Sequence, residues 1–148
     1  MILSIKTDQN NPILRQKAKE VKEINAEIKQ LALDMVKTLK ANNGLGLAAP
    51  QVGQSLRLIT VKPEPDKEAL VLINPRIKKA SRKKTIIEEG CLSLPNTFRP
   101  VERPEKITLE ALDINNHPVK MKVKGLLART IQHEIDHLDG LLIVDKKQ

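Results

Sequence analysis

The chain has 148 residues, 40% hydrophobic and 30% charged, with a formal net charge of +8. That length suits one domain with one core, and because Phe98 is its only aromatic residue, Leu, Ile and Val must fill that core. A lone cysteine, Cys91, excludes a disulfide framework; no apolar run reaches the roughly 18 residues of a membrane span, and Met1–Lys6 is too short for a signal peptide, so the expectation is a cytoplasmic protein with no membrane partner.

In chain order, Asn10–Arg15 reads as a loop entering a short turn, with Pro12 setting the backbone. Ile24–Lys40 has the pattern of an amphipathic helix, with Ile24, Ile28, Leu31, Met35 and Leu39 at helical spacing. Asn42-Asn43-Gly44 ends it. Gly44–Gln51 is rich in small residues. It reads as a tight helix-to-strand connection that lets backbone pass close to something, and it lacks the Lys-Ser/Thr ending of a phosphate loop. Leu56–Val61 is a strand, Lys62–Lys67 with its two prolines a turn, and Leu70–Asn74 a second strand that Pro75 should stop.

Ile77–Lys79 and Thr85–Ile87 are expected as strands either side of the basic run Lys78–Lys84, a solvated basic hairpin. Its charge could meet RNA or a ribosome surface, although the aromatic residues of base-stacking modules are missing. Lys106–Leu112 and Pro118–Lys124 alternate apolar and polar and should form a hairpin around Asn115-Asn116. Lys124–Leu138 reads as a helix with a buried stripe of Leu127, Ile131, Ile135 and Leu138. The fold class expected is α+β, a compact single domain over residues 1–148, with mostly antiparallel curved sheets packed around a central metal-binding helix.

The chemistry concentrates in that last helix. His133-Glu134-Ile135-Asp136-His137 spells His-Glu-x-x-His. Positions four apart share a helix face, so both imidazoles can reach one ion, and Glu134 stands within reach of a water there. A catalytic site of this kind wants a third protein ligand and one open position. His117 lies in an Asn-Asn-His-Pro turn and reads as a solvated turn residue. Cys91, in Glu88-Glu89-Gly90-Cys91-Leu92-Ser93-Leu94-Pro95, is either that ligand or a small buried hydrophobe; the neighbouring carboxylate, Gly90 and Pro95 argue for a shaped site.

Three segments together resemble the peptide deformylase family: Gly44-Leu45-Gly46-Leu47-Ala48-Ala49-Pro50-Gln51, Glu89-Gly90-Cys91-Leu92-Ser93, and Gln132-His133-Glu134-Ile135-Asp136-His137-Leu138-Asp139-Gly140. They stand in the family order, and Asn11-Pro12-Ile13-Leu14-Arg15 and Arg103-Pro104 match in the flanks, so the resemblance covers nearly the whole chain. It implies removal of the formyl group from the N-terminal formylmethionine of new polypeptides. It also implies Cys91, His133 and His137 as ligands of one divalent ion, natively Fe2+, with Zn2+, Ni2+ or Co2+ able to replace it. Glu134 would be the acid–base, and the Gln51 amide and the Leu92 backbone N–H would donate to the formyl oxygen.

By the same resemblance Glu89 would pair with Arg103 and support the cysteine loop, and Gly46 would offer backbone hydrogen bonds to N-formylmethionyl peptides lying as an added strand. Leu45, Leu126 and the helix face around Arg129 and Thr130 are the candidates for the methionine pocket, with Arg129 either at the rim through its aliphatic stem or facing water. The chain stops at Gln148, soon after Gly140, so the C-terminal extension of many members, often a ribosome-docking helix, is expected to be absent or very short. Its basic surface would then carry any transient ribosome contact, and a phage or organelle source stays open beside a bacterial one. A monomer is expected.

Two other readings use the same residues. A metallopeptidase would take a third ligand beyond His137, where only Asp139 and Asp145 remain. A basic RNA- or ribosome-binding protein with a structural metal site has no need of Glu134 and Gln51.

Overall fold

The computed structural model describes residues 1–146. Its elements in chain order are α1 (Pro12–Arg15), α2 (Ala26–Ala41), β1 (Gly46–Ala48), a 3-10 turn (Ala49–Val52), β2 (Leu58–Val61), β3 (Leu70–Ala80), β4 (Lys84–Cys91), β5 (Leu94–Pro104), β6 (Lys106–Leu112), β7 (Pro118–Lys124), α3 (Gly125–Leu138) and a 3-10 turn (Ile143–Asp145). Five strands form one antiparallel sheet in the order β1-β2-β3-β6-β7, and β4 and β5 pair separately. The α+β class is as the sequence implies.

The large sheet is a core layer with a helix on each side. α3 lays Ala128, Ile131, Ile135 and Leu138 against Ile59, Val61, Ile107, Leu109 and Ala111. α2 lays Ala32, Met35 and Leu39 against Leu47, Leu58 and Ile73 at the β1–β2 end. Both helices begin and end where the sequence places them within two residues. Asn25 caps α2, its side chain accepting from the Ile28 N–H at 3.0 Å, and Asn43 takes a left-handed φ of 52° just past its end.

Two strand expectations are corrected. Pro75 does not stop β3, which continues to Ala80 through an irregularity between Ile73 and Arg76. Asn74 adopts φ 51° there, and its side chain both accepts from the Val21 N–H (2.8 Å) and donates to the Val21 carbonyl (2.9 Å). A proline is tolerated at such a bulge because no ladder N–H is required of it.

The basic run is not the turn of a hairpin. β3 pairs with β6, and β4 pairs with β5, so the two halves leave in different sheets. β5 has no counterpart in the sequence analysis, which assigns no element to Leu94–Pro104; it carries three prolines but borders only β4, and an edge strand accommodates residues that cannot donate. The β6–β7 hairpin forms in the expected register, with Lys106 opposite Lys124 and Leu112 opposite Pro118.

Candidate active site

β7 runs directly into α3, which is possible because Gly125 takes a φ of +64° at the junction. The apolar stripe of α3 faces the large sheet, and the adjoining face carries Arg129, His133, Glu134 and His137 toward the β4–β5 hairpin. The rings of His133 and His137 stand with centroids 5.1 Å apart. Cys91 ends β4, where the ladder slips between Gly90 and Cys91, and its Sγ lies 3.3 Å from His137 Nε2.

The ligating atoms of Cys91, His133 and His137 all lie within 4.8 Å of one another, a group that could hold a metal ion. Bonds of about 2.0–2.3 Å to nitrogen and sulfur in tetrahedral geometry put ligand atoms roughly 3.3–3.8 Å apart, so only a small inward movement is required. The surroundings suit a cation. Burial opposes charge on His133, yet the charge of Glu134, hydrogen bonds to Cys91 and Glu89 and the charge of Cys91 outweigh it and raise its pKa to about 10. The same negative field favours an ion at its free nitrogen. Burial, with the charges of His133 and Arg103, holds His137 far below its usual range, the neutral form in which an imidazole ligates.

Glu89 organises this cluster from behind. Its Oε1 meets His133 Nδ1 at 2.9 Å, which leaves Nε2 as the ligating atom. Arg103 donates to both its oxygens, at 2.7 and 2.9 Å, and to Asp136 at 2.8 Å. Arg129 donates to Glu89 Oε2, to the Val101 carbonyl at 2.9 Å and to the Thr85 carbonyl at 2.7 Å. Burial by itself would raise the Glu89 pKa, but the hydrogen bonds from His133 and Arg103 and their charges hold it well below the usual carboxylate range. Two carboxylates and two guanidiniums thus balance beneath the site.

Glu134 is buried, and its Oε1 has no protein partner among the described residues. Burial pushes its pKa up to about 7, with His133 and Arg103 pulling down and Glu89 and Asp136 adding to the rise. Room for this carboxylate comes from Gly46: a Cβ there would lie 2.6 Å from Glu134 Oε2 and 2.8 Å from Thr130 Cγ2. Gln51, fully buried in the first 3-10 turn, accepts from the Ala48 N–H at 2.9 Å and directs its amide nitrogen to Ser93 Oγ (3.1 Å) and Cys91 Sγ (3.6 Å).

A cavity of about 590 Å³ opens onto these groups. Leu45, Gly46, Gln51, Glu89, Cys91, Leu92, Leu126, Arg129, His133 and Glu134 all line it, so the residues singled out from the sequence gather at one place, with His137 just beneath. Of the two alternatives for Arg129, facing water is excluded: the residue is buried with its head on Glu89, and it lines the cavity. His117 is exposed, beside Asp113, as a turn residue. Sequence reasoning missed Asp136, Ser93 and Thr85 as partners, and Ile87 and Phe98 as apolar groups at the cavity mouth. Asp136 was findable, since a position three residues from His133 shares its helix face.

The fold and the site define a hydrolase, with a buried carboxylate beside a cluster suited to a metal ion. The profile of the family Polypeptide deformylase matches residues 2–148. Peptide deformylase of Dictyoglomus thermophilum is 51% identical over 136 residues, covering 92% of this chain and 87% of that one. A crystal structure of a peptide deformylase from Synechococcus elongatus in complex with actinonin superimposes with TM-score 0.93 at 42% identity, covering 99% of this chain and 79% of that one. The peptide deformylase of Thermotoga maritima does so with TM-score 0.95 at 34% identity, covering 100% and 99%. The chain belongs to the polypeptide deformylase family, whose general function is removal of the N-formyl group from nascent peptides.

Proposed function

We propose that this chain hydrolyses the formyl amide of N-terminal formylmethionine on nascent polypeptides, giving formate and a free amine, with a divalent ion held by Cys91, His133 and His137. The observation that carries the reading is the convergence of three ligand atoms within 4.8 Å beside a buried carboxylate. Fe2+ is the native ion in this reading, and Zn2+, Ni2+ or Co2+ can take its place. When bound, the ion would supply Lewis-acid chemistry, polarising the formyl carbonyl and a water molecule.

The remaining work falls to the protein. Glu134 takes the proton of the attacking water and returns it to the departing amine nitrogen. A pKa near 7 suits both transfers. The Gln51 amide and the Leu92 N–H donate to the formyl oxygen as negative charge grows on it. Glu89, held by Arg103 and Arg129, keeps His133 in one orientation.

β1 is an edge of the large sheet, so a substrate backbone can pair with Gly46 as an added strand, recognised by main-chain groups. Leu45, Leu126, Thr130 and the stem of Arg129 take the methionine side chain, and Ile87 adds to that wall. The reading takes the protein to act as a monomer in the cytoplasm. Anaerobic assay of formate release from formyl-Met-Ala-Ser, with the protein loaded with Fe2+ or Ni2+, tests the reading. Steady turnover is expected; no release with either ion would contradict it.

A further inference from the structure

The densest basic run of the sequence is not the densest basic surface of the fold. Within Lys78–Lys84, Lys83 pairs with Glu105 and Lys84 with Glu102. The concentrated charge lies instead on the β3–β6–β7 end of the large sheet, on the side away from α3. There Lys120, Lys122 and Lys124 alternate along β7, facing Glu110, Thr108 and Lys106 of β6, and Lys79 stands opposite Thr108 from β3. With Lys78, these residues line a shallow groove of about 750 Å³. Glu110 is the one acid lining it, paired with Lys78 at 3.7 Å. Among the described residues, the other five lysines make no ion pair.

We infer that this groove is a docking surface for the phosphodiester backbone of a structured RNA. Same-face residues of a strand recur about every 6.7 Å and neighbouring strands lie about 4.8 Å apart, so the lysines form a two-dimensional array of point charges. Such an array holds a row of phosphates without reading bases. The groove carries no aromatic residue for stacking single-stranded bases, which leaves the ordered backbone of a duplex. Neither β6 nor β7 exposes a large apolar side chain that would wedge into a membrane.

Protection of the sheet edge would place lysines on β7 alone. It does not account for Lys106, one strand in, or for Lys78 and Lys79, two strands in. α2 covers this side of the sheet at the opposite end, and the substrate cavity opens between β1 and β4. A bound RNA would therefore leave the cavity accessible. The choice of RNA over DNA rests on the proposed action on nascent chains, which are made where RNA is abundant.

The test is fluorescence anisotropy with the full chain, using a 20-base-pair RNA duplex (about two turns), the same sequence as DNA, a single-stranded oligo-U, and phosphatidylserine vesicles. The RNA duplex is expected to bind best, with affinity falling roughly 100-fold between about 50 and 200 mM salt. The triple variant Lys120→Gln, Lys122→Gln, Lys124→Gln should lower affinity at least about 30-fold and flatten the salt dependence. It should leave turnover of formyl-Met-Ala-Ser unchanged. A control triple around α2, at the opposite end of the sheet, Lys22→Gln, Lys29→Gln, Lys40→Gln, should bind as the parent does.

Undiminished RNA binding by the first triple would overturn the proposal. So would equal affinity for the DNA duplex, or a preference for oligo-U or vesicles. Absent turnover in the parent with RNA binding intact would strike the proposed function and leave the surface standing.

Discussion

Arg129 lies one helical turn before His133, and its guanidinium closes on Glu89, the carboxylate that holds His133 Nδ1. α3 therefore grips the same carboxylate twice, from Arg129 and from His133, while Arg103 grips it from β5. Arg129 also ties down backbone of both strands of the small sheet, through Thr85 of β4 and Val101 of β5. The strand that delivers Cys91 is thereby fastened to the helix that delivers the imidazoles.

Replacing Arg129 by Met keeps the stem in the cavity wall and deletes those bonds. Loss of one partner from a buried ionic cluster costs on the order of 3 kcal/mol, and a loosened His133 should bind metal about 10–100-fold more weakly. Urea denaturation and chelator competition measure the two effects. Parental stability together with parental metal affinity would show that Arg103 alone suffices.

Gly46→Ala tests the space given to Glu134. The new methyl would fall 2.6 Å from Glu134 Oε2 and 2.9 Å from its Cγ, so the carboxylate must move. Displacement of about 1 Å in a reacting group can cost on the order of 100-fold in rate. The expected result is a loss of that size in kcat with the circular dichroism spectrum preserved. Turnover within a few-fold of the parent would mean that Glu134 has room to spare.

The Asn74 bulge offers a test of the fold away from the chemistry. Asn74→Ala loses both hydrogen bonds to Val21 and puts alanine at φ 51°. A destabilisation of about 2–3 kcal/mol is expected, read from a lower urea midpoint. A loss below about 1 kcal/mol would show that the bulge is held by its neighbours.

An acid-sensitive contact joins α1 to the second 3-10 turn, where Arg15 pairs with Asp145. Partial burial would raise the Asp145 pKa, but the Arg15 hydrogen bond, the Leu142 N–H and the nearby Arg15 and Lys146 charges lower it overall. A carboxylate depressed in the folded state adds stability above its unfolded value of about 3.9. That stability is lost as pH falls through the lower folded value. The pair is about one-third exposed, so no more than about 1 kcal/mol is expected. Asp145→Asn should be less stable than the parent at pH 7 and close to it at pH 2. An equal difference at both values would assign the effect to packing.

The helices and the β6–β7 hairpin were legible because each keeps one period over its whole length, as in Ile131, Ile135 and Leu138 or in Ile107, Leu109 and Ala111. The site residues were legible because their chemistry comes in short, linked motifs. β5 was not, since an edge strand in a two-stranded sheet is freed from the alternation and the N–H groups that mark an inner strand. The continuity of β3 through Asn74-Pro75 depends on a partner, Val21, distant in the chain. The buried end of Arg129 was hidden for a similar reason. Its four residues' separation from His133 announces a shared face, but only the fold brings Glu89, Thr85 and Val101 to it.

In the proposed reaction Glu134 moves the proton beside an ion held by Cys91, His133 and His137. The most direct test is paired measurement of metal content and formate release for the parent, Glu134→Gln and Cys91→Ser. The parent and Glu134→Gln should each hold one divalent ion per chain, with turnover in Glu134→Gln lower by at least about 100-fold. Cys91→Ser should lose both metal and turnover. Near-parental formate release by Glu134→Gln, or an unchanged metal content in Cys91→Ser, would contradict the account.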